Sequence, residues 1–174
     1  MLIVLAVVVI ALAIVIAIAA GRPDHFRIER SATIGAPPES IFPLIEDFHR
    51  WRTWSPYEER DPGMQRDYSG PPRGVGAIYA WDGNKQIGSG RMEVVEATPS
   101  SKIIIKLAFF RPFKANNTAE FLLEPTTAGT KVIWTMHGPT PFMSKLLGLV
   151  FNFDRMVGKD FEVGLEKLRA VAEG

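Results

Sequence analysis

Three histidines, at positions 25, 49 and 137, and no cysteine leave this 174-residue chain with few groups suited to metal binding or nucleophilic attack. The histidines are far apart in sequence. No His-Glu-x-x-His, no Gly-x-Ser-x-Gly and no phosphate-cradling loop with Gly-Lys-Ser/Thr occurs, so no metal and no cofactor is expected. The absence of cysteine removes disulfides, thiolate sites and a lipidated thiol together. Arg30, Glu58, Arg91, His137 and Asp160 are the polar side chains that could orient a ligand. Strand alternation puts His137 on an outer face with Thr135, and sets Arg91 opposite Gly90 and Met92. Only Arg30, Glu58 and Asp160 then remain as groups that could act inside a cavity, where a proton-moving reaction would need an acid or base.

The stronger signal is apolar. On Thr130 to His137, Val132, Trp134 and Met136 share a face; on Thr118 to Glu124, Phe121 and Leu123 do so. Gly88, Gly90, Met92 and Val94 share another, and glycines there add no side-chain volume, which leaves room for a hollow unless the core simply packs densely. Trp54, Tyr79, Trp81, Phe109, Trp134, Met136, Met156 and Phe161 are the expected lining of such a hollow. Aromatic and methionine walls suit an adaptable apolar site. Trp51, Trp54 and Tyr57 would form its mouth, or else anchor the loop that follows them.

These side chains need elements to hold them. His25 to Ile34 alternates and predicts a first strand, with Arg30 on the apolar face of Phe26, Ile28, Ala32 and Ile34 and a bulge as the simplest reason for it. Pro37 and Pro38 start a short helix limited by Pro43, and Asp47 caps a second carrying Phe48 and Trp51. Tyr57 to Gly74 reads mostly as loop, with a short strand near Met64 to Tyr68. Val75 to Trp81 leads through an Asp82-Gly83 hairpin turn into Lys85 to Glu96. Lys102 to Phe110, Thr118 to Glu124 and Thr130 to His137 complete an antiparallel meander. From Phe142 the apolar spacing changes to that of a long amphipathic helix, capped by Thr140 and open to a break near Gly148 or Asn152. The order is α+β, and the last helix is the only apolar stripe large enough to cover the sheet.

Met1 to Ala20 carries no charge, no proline and no polar side chain. Twenty residues at about 1.5 Å each span the roughly 30 Å hydrocarbon core of a bilayer. Ala17, Ile18 and Ala19 also supply the small-x-small pattern of a cleaved secretory signal. The run is longer than a signal core of about 7 to 15 residues, and no Lys or Arg precedes it, so residues 1–21 are read as a retained transmembrane helix and 22–174 as one domain. Arg22, Arg27 and Arg30 crowd the carboxyl flank, which predicts a single-pass membrane protein with a cytoplasmic domain. With 20 basic and 19 acidic residues and no run of either sign, no nucleic-acid partner is expected. Asn116-Asn117-Thr118 matches a glycosylation acceptor, a pattern common by chance.

Particular stretches carry a resemblance: Ile28-Glu29-Arg30-Ser31, Ala36-Pro37-Pro38 with Ile41-Phe42, and Trp51-Arg52-Thr53-Trp54-Ser55-Pro56. Gly74-Val75-Gly76-Ala77 before Trp81, Gly129-Thr130-Lys131-Val132 before Trp134, and Asp160-Phe161-Glu162 with Gly164-Leu165 continue it. In this order they resemble the START-like superfamily, also called SRPBCC or Bet v 1-like, and its polyketide cyclase/dehydrase-like group, over residues 25 to 172. The resemblance implies a helix-grip fold, an antiparallel sheet wrapped around a long carboxyl-terminal helix, with an apolar cavity between them. It implies a hydrophobic small molecule or lipid as partner, with a cyclase or dehydratase reaction as the alternative.

Overall fold

The computed structural model describes residues 1–174, the side chain of Leu2 excepted. Its helices are α1 (Leu2–Ala20), α2 (Pro38–Glu46), α3 (Pro56–Arg60), α4 (Phe142–Leu147) and α5 (Phe153–Glu173), with a 3₁₀ helix at Phe48–Thr53. Its strands are β1 (His25–Ile34), β2 (Gln65–Ser69), β3 (Ile78–Asp82), β4 (Ser89–Thr98), β5 (Lys102–Arg111), β6 (Ala115–Thr126) and β7 (Gly129–Pro139). All seven strands form one sheet, in the order β1-β7-β6-β5-β4-β3-β2 with antiparallel pairing throughout. The α+β helix-grip arrangement is therefore present. Strands β2 to β7 form the meander, and β1 closes its far edge beside β7.

The burial of β1 follows its alternation, with Ile28 and Ile34 in the core. Its pairing with β7 runs without interruption from His25 opposite Pro139 to Ile34 opposite Thr130, so the bulge expected at Arg30 is absent. Arg30 instead reaches inward to α5. Its guanidinium bonds Asp154 at 3.1 Å and Glu162 at 2.9 Å, and any Cβ on Gly158 would collide with it. Two carboxylates about two turns apart on α5 thus hold a cation where the strand pattern alone called for an apolar residue.

The carboxyl-terminal helix is broken at the residues that predict a break. Asn152 accepts a bond from the Arg155 amide at 2.9 Å and caps α5, while Gly148 follows the end of α4. Thr140 does not cap α4. Pro141 holds the N-cap position with no side-chain bond, and the Thr140 hydroxyl is buried without a partner. Phe161, Leu165 and Leu168 form the buried stripe of α5.

Three further expectations change. Three short helices follow β1, not two: Ser55-Pro56 starts α3, with Pro56 in the first turn and Glu58 and Glu59 favouring its positive end. Asp82-Gly83 is not a two-residue turn, because six residues, Gly83 to Gly88, separate β3 from β4. Gly88 lies in that loop at φ +69°, outside the strand face assigned to it. Gly90 does lie in β4, but the hollow expected above it is filled by Trp81, whose indole would stand 2.5 Å from a Cβ there.

Among its described side chains helix α1 is exposed except at Ala19, and its carboxyl end packs against α4. Arg22 donates to the Gly148 carbonyl at 2.7 Å, Lys145 to Asp24 at 2.5 Å, and the Thr140 amide to the Asp24 carbonyl at 2.6 Å. These bonds tie the short connection between α1 and β1 to the start of the terminal helices. They also hold the Asp24 carboxyl below its ordinary range, through the Lys145 bond first and then the Lys145 charge.

Candidate functional site

The concave face of the sheet has two unlike ends. At the end covered by α2, the 3₁₀ helix and the middle of α5, aromatic rings interlock. Trp134 stacks on Phe161 with centroids 4.1 Å apart and planes at 7°, and on Phe121 at 4.9 Å. Trp54 meets Trp134 edge-on at 5.7 Å and Trp51 at 4.8 Å. Rings at these spacings are in contact, so no guest fits between Trp134 and Phe161. Gly164 permits the arrangement, because a Cβ there would sit 2.7 Å from Trp134. The expected mouth residues do other work: the Trp51 and Trp54 indoles donate to the Ile45 and Leu44 carbonyls, each at 2.8 Å, pinning the end of α2. Tyr57 is half-buried with Arg60 over its ring, and burial raises its hydroxyl pKa.

Glu58 enters the same sealed region from α3. It accepts from the Tyr79 hydroxyl at 2.7 Å and from Arg66 at 2.8 Å, which engages both carboxylate oxygens. Burial and the bond to Glu58 push the Tyr79 pKa upward, so this hydroxyl stays protonated at neutral pH. The stack continues outward from Tyr79 to Tyr68 at 5.1 Å and to His49 at 4.1 Å. A buried carboxylate with one oxygen on a fixed cation and the other on a fixed phenol serves to orient a wall. Asp160, the other acid of interest, is paired with Arg60. Arg91 pairs with Glu93 at 2.8 Å on the strand's outward face.

At the opposite end, the apolar lining is not sealed. Trp81 on β3, Leu107 and Phe109 on β5, Phe26 on β1 and Met136 on β7 are each half-buried, and all but Phe109 pack against the edge of the core. Trp81 and Phe109 meet edge-on at 5.7 Å. The first turn of α5 adds Met156, which is exposed, and Val157, which is half-buried. Of the eight expected lining residues, Trp54, Tyr79, Trp134 and Phe161 are buried in the sealed end, while Trp81, Phe109, Met136 and Met156 remain accessible at the open end.

Two polar groups belong to the open end, the Asn117 amide and the indole N–H of Trp81, a residue expected there for its apolar ring. Asn117 follows the inward parity of Ala119 and Phe121, and its amide lies 4.0 Å from the Met136 sulfur. The Trp81 indole N–H is buried without a hydrogen-bond partner among the described residues. The Trp81 indole lies over Gly90 on β4 and Asn117 over Gly138 on β7, so of the two only the Asn117 amide stands beside Met136, where it can meet an oxygen of an otherwise apolar molecule. The signal for Asn117 was present in the β6 alternation; it was read only as part of a glycosylation pattern, whose Asn116 sits in a paired strand opposite Ala108.

Two surface depressions lie elsewhere. One, of about 190 Å³, runs beside His49, Tyr68 and Pro71; the other, of about 570 Å³, lies between Gly83, Lys85 and Arg111. Neither is lined by any of the eight expected residues. Among the described residues no group of three or more His, Asp or Glu side chains could hold a metal ion.

Comparison with known proteins places this geometry. A protein from Mesorhizobium loti superposes with a TM-score of 0.63 at 17% identity, over 85% of this chain and 97% of that one. The di-domain ARO/CYC StfQ of the steffimycin biosynthetic pathway superposes at 0.65 and 14% identity, over 86% of this chain and 51% of that one. Ara h 8.0201 superposes at 0.58 and 10% identity, over 86% and 98%. At these identities the likeness is one of fold. No curated protein matches the sequence. A family model described as polyketide cyclase / dehydrase and lipid transport matches residues 25–173, and the chain belongs to that family.

Proposed function

We propose that this chain is a membrane-anchored binding protein for a hydrophobic small molecule or lipid, with the guest held at the open end of the grip. The observation that carries this reading is the difference in exposure along one concave face: aromatic rings closed against each other at one end, and apolar side chains left half-open at the other. Residues 1–21 serve as a transmembrane helix in this reading and 22–174 as the binding domain, on the cytoplasmic side favoured by Arg22, Arg27 and Arg30. One helix, Ile3–Ala20, has the length and composition for a span. The connection from Gly21 to Asp24 is short, which keeps the domain near the bilayer, where apolar molecules concentrate.

Trp81, Phe109, Met136 and Met156 contact the guest, Asn117 orients its polar end, and Trp54, Tyr79, Trp134 and Phe161 form the closed floor. The test is solvent extraction and mass spectrometry of the full chain purified from membranes in detergent, beside Met136→Arg. The expected result is an apolar molecule in the first and its loss in the second. Absence of any apolar molecule from both forms, with neither competing for added fatty acid or isoprenoid, would remove the reading.

A further inference from the structure

The segment that follows β7 exposes an unusual amount of apolar surface for a soluble face. Phe142, Met143, Val150, Phe151, Phe153 and Met156 are 46%, 62%, 80%, 50%, 41% and 56% exposed. Contiguous apolar patches of this kind mark a surface that has a partner. Two observations identify the partner. First, α4 packs against the carboxyl end of α1, with Arg22 bonded to Gly148 and Lys145 to Asp24, so this segment sits beside the point where the proposed span ends. Second, strand register brings another exposed aromatic to the same end of the molecule. His25 pairs with Pro139, His137 with Thr118, and Phe109 with Ala115; hence the β5–β6 turn lies at the end of the sheet where α1 enters. Phe113, in that turn, is 68% exposed. Lys114 and Arg155, both exposed, supply positive charge among these apolar side chains.

We infer that residues 142–156 and Phe113 form a second membrane contact, seated at the headgroup and acyl boundary of the bilayer that α1 spans. This rests on the anchor reading and extends it. The bonds from Arg22 to Gly148 and from Lys145 to Asp24 already couple the domain to the end of the span. Apolar side chains around the end of α1 fix its tilt and hold the open end of the grip against the lipid. Phenylalanine and methionine bury in the outer acyl region, and lysine and arginine extend to phosphate.

The lack of native cysteine allows single spin labels to be placed cleanly. The full chain carrying Val150→Cys, Phe113→Cys, Val75→Cys or Val8→Cys is labelled with a nitroxide and reconstituted into vesicles of phosphatidylcholine and phosphatidylglycerol. Collision with oxygen and with a water-soluble nickel chelate then reads depth. Val75 precedes β3 at the far end of the sheet and is 56% exposed, so it reports the aqueous value. Val8 reports the span. The inference expects labels at 150 and 113 to be shielded from nickel and accessible to oxygen, about 5 to 10 Å into the boundary. If the Val8 label lies in lipid while those at 150 and 113 match Val75, the second contact is refuted and the anchor stands. If the Val8 label itself is aqueous, the anchor reading fails and this inference fails with it.

Discussion

The two ends of the concave sheet are built from the same kinds of residue and behave differently. Near α2 and the middle of α5, Trp51, Trp54, Phe121, Trp134 and Phe161 meet ring to ring and exclude everything else. Near the entry of α1, Phe26, Trp81, Leu107, Phe109 and Met136 face the same way on the same sheet, yet none is fully covered. The difference comes from what lies opposite. Helix α5 presents Phe161, Leu165 and Leu168 to the first end; to the other it presents its solvent-exposed opening turn. Inward alternation therefore creates a lining, and only the opposing element decides whether that lining becomes core or site.

The comparison is broken most forcefully in the sealed end. Trp134→Ala removes a ring stacked on both faces, and a large-to-small change there is expected to cost about 3 to 5 kcal/mol in denaturant unfolding of the full chain in detergent. A cost below about 1 kcal/mol would show that the stack is loose. Glu58→Ala comes next. It leaves Arg66 and the Tyr79 hydroxyl without their common partner, and the expected loss is about 3 kcal/mol by the same measurement. Gly164→Ala forces Trp134 or Pro56 to move and should cost about 1 to 3 kcal/mol.

The open end should respond in the reverse sense. Phe109→Ala is expected to change stability by less than about 1.5 kcal/mol, because the ring is only half-buried, while weakening retention of an apolar molecule. Loss of stability without loss of binding would assign Phe109 to the core instead. The smallest effect is expected where α1 meets the domain. The Asp24 carboxyl is depressed below its ordinary value of 3.8, so its contribution is complete above that value and disappears as pH falls through the lower, folded-state pKa. Hydrogen exchange at the Gly148 and Thr140 amides should therefore quicken only in strong acid, and Asp24→Asn should remove that dependence.

Much of the frame was legible because period and punctuation agree. His25 to Ile34 alternates except at Arg30 and is a strand with those limits; Gly148 and Asn152 mark a helix break and the break is there. The inward sets on β6 and β7 follow parity as well. Less legible were features set by distant parts of the chain. Arg30 sits on an apolar face because Asp154 and Glu162 lie more than a hundred residues away, and Gly158 is glycine to let it pass. Gly90 looks like the floor of a hollow until Trp81 is laid across it. Helix α3 was hidden in a stretch rich in Pro, Gly, Asp and Arg, where local propensity favours loop. The identity of the lining residues could be read from alternation, but not which of them would be covered, since that depends on the path of α5.

The four tryptophans offer the sharpest test of where a guest sits, because Trp51, Trp54 and Trp134 are sealed and Trp81 alone is half-buried at the open end. Fluorescence of the full chain in detergent is titrated with a brominated fatty acid, whose heavy atoms quench only rings they touch. The account predicts saturable quenching that disappears in Trp81→Phe. Quenching of equal depth in wild type and Trp81→Phe, or none in either, would contradict it.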